Sequence, residues 1–82
     1  MIDEVRARRL YKKLPEAEKA HVRRFSRKLE AANGKGTLQT ELFVVDSMYR
    51  AGKAGMTNME VMLPAIAVWH QDHVLETVGF QA

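Results

Sequence analysis

The 82-residue sequence predicts an all-α fold, a small bundle of four helices, and three observations carry that expectation. Apolar residues recur every three or four positions, the period of a helix with one buried face. Glycines and the first proline fall between the periodic stretches, at Pro15, Gly34, Gly36, Gly52 and Gly55. The run Leu42-Phe43-Val44-Val45 has a buried strand as its alternative reading, but no second strand is available to pair with it, so it reads as helix.

The first segment, residues 2–14, is rich in helix formers and puts Ala7, Leu10, Tyr11 and Leu14 on one face. Pro15 ends it, because a residue before proline is pushed out of the helical region. The same proline suits the first position of a second helix, residues 15–32, where Glu16 and Glu18 complement the positive end. Val22, Phe25, Leu29 and Ala32 form its core stripe, Lys19, Arg23 and Arg27 lie opposite, and Asn33-Gly34 stops it. Thr37 is the expected N-cap of a third helix that ends near Gly52 and buries Leu38, Leu42, Val45, Met48 and Tyr49.

Gly52-Lys53-Ala54-Gly55 is the next break, and Thr57-Asn58-Met59-Glu60 matches a capping box opening the last helix. Pro64 should kink that helix or split it into residues 57–63 and 64–78, with Gly79 closing it and residues 80–82 as a tail. Its apolar residues cover a broad arc, Met59, Met62, Leu63, Ile66, Trp69 and Val74, with Val61, Val68 and Leu75 at another azimuth. One neighbour cannot cover so much, so this helix is expected at the bundle centre or in an interface. The expected domain organisation is a single helical domain, residues 1–82, and a chain this short gains from association.

Composition removes several function classes. With no cysteine there is neither a thiolate zinc site nor a cysteine nucleophile. The longest strongly apolar stretch, residues 61–69, falls short of the roughly 20 residues of a membrane span, and the opening residues do not read as a secretory signal. Cytoplasm is the default compartment. Ser26 and Ser47 sit on predicted helices without an oxyanion loop, and Gly34-Lys35-Gly36-Thr37 is too short for a phosphate loop, so no catalytic role or cofactor is expected. His70 and His73 stand three apart beside the apolar face, where hydrogen-bonded imidazoles or a pH-sensitive interface edge explain them better than a metal, for which only His21 remains as a further imidazole.

Residues 47–66 superficially resemble a helix-turn-helix, because Gly55 fits the turn and Gly-Met-Thr-Asn-Met-Glu resembles the start of a recognition helix in winged-helix regulators. The side chains offered there, Asn58, Glu60 and Met62, include few that read base edges, and Pro64 breaks the register. An ordinary capping box accounts for the pattern.

Charge is the more informative signal. Residues 1–28 carry ten Lys and Arg against four Asp and Glu, whereas the remainder carries three against six. The sequence therefore points to a non-enzymatic regulatory binding module whose Arg6, Arg9, Lys13, Arg23 and Arg27 meet nucleic-acid phosphates. Homodimerisation would use Met62, Ile66, Trp69 and His73, with Trp69 as anchor. The alternative is a protein-binding adaptor or inhibitor that docks on a larger partner, where an acidic protein surface would engage the same basic residues and nucleic acid has no role.

Overall fold

The computed structural model describes residues 2–78; the expected stop at Gly79 and the tail 80–82 lie outside the described residues. Four helices follow one another: α1 (Glu4–Lys13), α2 (Glu16–Asn33), α3 (Thr40–Lys53) and α4 (Met59–Val78). The chain is an all-α bundle, with no strand among the described residues.

Local chemistry explains most of the boundaries. Asp3 caps α1, its Oδ1 accepting from the Arg6 amide at 2.9 Å. Leu14 leaves the helix with ψ 142°, as a residue ahead of proline must. Pro15 occupies the cap position of α2, one residue earlier than expected, and its carbonyl accepts from the Lys19 amide. Gly34 closes α2 at φ 85°, a conformation costly for any residue with a Cβ. Gly36 is needed for a different reason: a Cβ there would overlap the His73 imidazole.

Two predicted caps are corrected. Gln39, not Thr37, occupies the cap position of α3, its carbonyl accepting from Leu42 and Phe43 while Thr40 is already helical and buried. Asn58, not Thr57, caps α4: its Oδ1 accepts from the Glu60 amide at 2.8 Å and its carbonyl from Val61 and Met62. Asparagine is as good a cap as threonine, so the capping-box pattern was one residue out of register. Pro64 neither splits nor ends α4, which continues as one helix on both sides of it. Pro64 is exposed, so water can reach the carbonyl that its missing N–H leaves without a partner.

The largest departure concerns the centre. α3, rather than α4, is the element on which the others rest: α1, α2 and α4 all pack on it, and α4 also meets α2. From Leu42 to Ser47 every residue of α3 is buried, which only a helix covered on several sides achieves. Phe43, Val44, Val45 and Ala51 join Val22 and Leu29 of α2 and Met62 and Ile66 of α4 in one core. Tyr49, expected inside, is 37% exposed and lies under the Arg6 guanidinium, 4.4 Å from ring centre to charge. On α2, Val22 and Leu29 are buried as expected, Ser26 joins them, and Ala32 is exposed.

Asp46 is a carboxylate with no solvent exposure in the middle of this apolar helix. Arg6 Nη2 of α1 donates to its Oδ1 at 2.6 Å, and Arg50 Nε stands 3.0 Å from its Oδ2. Burying an unpaired carboxylate would be prohibitive, so these two arginines are what allow Asp46 to sit there, and they tie α1 to α3. The Arg6 guanidinium is held more firmly protonated by the hydrogen bond to Asp46.

Candidate nucleic-acid interface

The five expected phosphate contacts divide into two groups. Arg6 is withdrawn, because its charge is spent on Asp46 and its side chain is only 27% exposed. Arg9, Lys13, Arg23 and Arg27 are exposed, and none has an acidic partner among the described residues. Lys19, assigned to the outer face of α2, instead turns inward against Tyr11, with Glu16 3.5 Å away.

Three cations beyond the expected five are also exposed. Arg24 and Lys28 of α2 and Lys12 of α1 are exposed and likewise lack an acidic partner among the described residues. At 100° per residue, Arg23, Arg24, Arg27 and Lys28 spread across the solvent side of α2, directly opposite the Val22, Ser26 and Leu29 line that faces the core. The signal for Arg24 and Lys28 was present in the sequence, since they flank the same arc as Arg23 and Arg27.

Tyr11 joins the two helices. Its hydroxyl accepts from Arg23 Nη1 at 3.3 Å, a side-chain link between α1 and α2, while Lys12 lines a hollow with Gln39, Glu41 and Leu42 at the start of α3. Arg23 uses one of five guanidinium donors in that bond, so the others remain available. Arg24 Nη2 similarly meets His21 Nδ1 at 2.7 Å, which leaves its charge uncompensated. Exposed guanidinium and ammonium groups without carboxylates nearby can meet anionic oxygens with little rearrangement, in a contact that salt screens.

The residues expected at a dimer contact are placed differently. Ile66 is fully buried and Met62 nearly so, both inside this chain's own core. Trp69 is half-buried, with the Arg50 guanidinium 5.5 Å from its ring centre. His73 is half-buried against Phe43, ring centres 4.9 Å apart, so these four side chains do not form one outward face.

His70 is the more deeply buried imidazole. Asn33 Nδ2 lies 3.0 Å from its Nδ1, and Phe43 meets it edge to face at 5.3 Å. Burial first, then the neighbouring His73, holds the His70 pKa below the usual 6.5, while Glu30 opposes the shift. The folded protein thus resists protonating a group that the unfolded chain protonates readily. Stability should be complete above pH 6.5 and fall as the pH drops below it toward the lowered folded value. Thermal unfolding from pH 7.5 down to 5 should show that loss, and a His70→Asn chain should show a flatter profile. An equal slope in both would rule His70 out as its source.

Comparison with protein-family models, with curated proteins and with solved structures found no match. No helix among the described residues is long and apolar enough to cross a membrane. The class that the fold defines is a small all-α bundle.

Proposed function

We propose that this chain is a non-enzymatic binding module that meets nucleic-acid phosphates through the solvent side of α2 and the adjoining end of α1. One observation carries the reading: Arg9, Lys12, Lys13, Arg23, Arg24, Arg27 and Lys28 are all exposed with no acidic partner among the described residues. Contacts of this kind grip the sugar-phosphate backbone and release counterions, giving affinity without base reading. A cytoplasmic setting, where nucleic acid is accessible, belongs to the same proposal.

The test is binding to random duplex DNA and to single-stranded RNA across a salt series. Engagement of four phosphates by the α2 cations predicts a slope of log affinity against log salt near −3.5 for duplex. Replacing Arg23 and Arg27 by Glu together should lower affinity on the order of a hundredfold at ~50 mM salt and flatten the slope by about two. Arg6→Met should leave the slope unchanged, since Arg6 is committed to Asp46. Absence of binding at ~50 mM salt, or binding indifferent to the charge reversal, would defeat the proposal and favour an acidic protein surface as the partner of these residues.

A further inference from the structure

The second unassigned surface is the outer side of α4. Val61, Val68 and Leu75 are each more than half exposed and stand seven residues apart, so they recur within about 20° of one line along the helix. Exposed Pro64 lies beside the same line. The stripe runs about 21 Å, three heptad positions of an apolar seam with none of the described residues packed over it.

Its border is acidic. Glu60, Asp72 and Glu76 are exposed and unpaired among the described residues, and α4 contains no lysine or arginine. Toward its C-terminal half the stripe adjoins a cleft of about 520 Å³ whose walls include Glu4, Trp69, Asp72 and Glu76. Among the described residues the one arginine or lysine on that wall is Arg50, already neutralised by Asp46. A long cationic side chain reaching over the stripe would find carboxylates and an indole there.

We propose that this face receives a basic amphipathic helix from a protein partner, one with apolar residues at heptad spacing and Lys or Arg along its flanks. Charge decides between that occupant and a second copy of the chain. Two α4 helices laid together would bring six carboxylates into one seam with no cation from either helix, whereas a basic helix meets only three and supplies cations for them. The surface is distinct from the α2 cations, so the proposal stands independently of the nucleic-acid reading.

Two labelled peptides of about 21 residues, both with a Leu seam, one flanked by Lys and the other by Glu, test it by fluorescence anisotropy against the full chain. The Lys peptide should bind and the Glu peptide should not. Val68→Gln and Leu75→Gln, both at exposed positions that leave the core untouched, should each weaken the Lys peptide by about tenfold, with the circular dichroism of the chain unchanged. Asp72→Asn with Glu76→Gln should weaken it severalfold and reduce its salt dependence. Arg23→Glu with Arg27→Glu should not weaken it. Equal binding of both peptides, no binding of either, or indifference to Val68 and Leu75 would overturn the proposal. So would sedimentation showing a wild-type dimer that Val68→Gln dissociates, since a second copy would then occupy the stripe.

Discussion

Phe43→Ala should destabilise the fold by about 3–5 kcal/mol, the usual cost of truncating a fully packed aromatic side chain. Phe43 is 2% exposed on the central helix and contacts the rings of both His70 and His73, so the space left behind has rigid walls on two sides. A domain of this length has a total stability of roughly 4–12 kcal/mol, so the loss is a large share of the whole. Urea titration followed by circular dichroism measures the loss. Phe43→Leu keeps most of the volume and should cost less than half as much. A loss below about 1 kcal/mol for the alanine variant would mean that α3 is not the centre of the bundle.

The second large effect is expected at Asp46. Asp46→Ala removes the shared counterion of Arg6 and Arg50, leaving two like charges facing each other and an apolar void beneath. Breaking a buried pair costs about 3–5 kcal/mol, and because both arginines keep some water the lower end, about 3 kcal/mol, is expected here. For a domain of this size that is a fall of roughly 12–24 °C in the unfolding midpoint. Amide hydrogen exchange should rise most in α1, since Arg6 is its charged tie to α3. Uniform exchange across all four helices would contradict that role.

The difference between what the sequence revealed and what it hid follows from the range of the interactions. Helix ends set by a neighbour, such as Leu14 before Pro15 and the left-handed Gly34, were legible because their causes lie within a few residues. The cap positions of α3 and α4 each shifted because more than one nearby polar residue could serve, Thr37 or Gln39 before α3 and Thr57 or Asn58 before α4.

The centrality of α3 was less visible. Periodicity marks one buried face, whereas α3 buries Phe43, Val44, Asp46 and Ser47 as well, on azimuths that a single-stripe reading assigns to solvent. A lone carboxylate inside Leu42–Ser47, with Arg50 four residues on, was the available clue that Asp46 is interior and paired. Without that clue Arg6 counted as a surface cation. Arg9, Lys13, Arg23 and Arg27 were legible as outward residues because they lie opposite local apolar stripes, whereas Met62 and Ile66 are covered by a helix distant in the chain.

The arrangement around α3 also separates two kinds of inheritance. The residues that hold the bundle together face inward on one helix and its three supports, while those proposed to meet other molecules stand on the far sides of α2 and α4. Substitutions on either far side alter charge or apolar surface without touching the interior, so binding and folding can be varied separately in this chain.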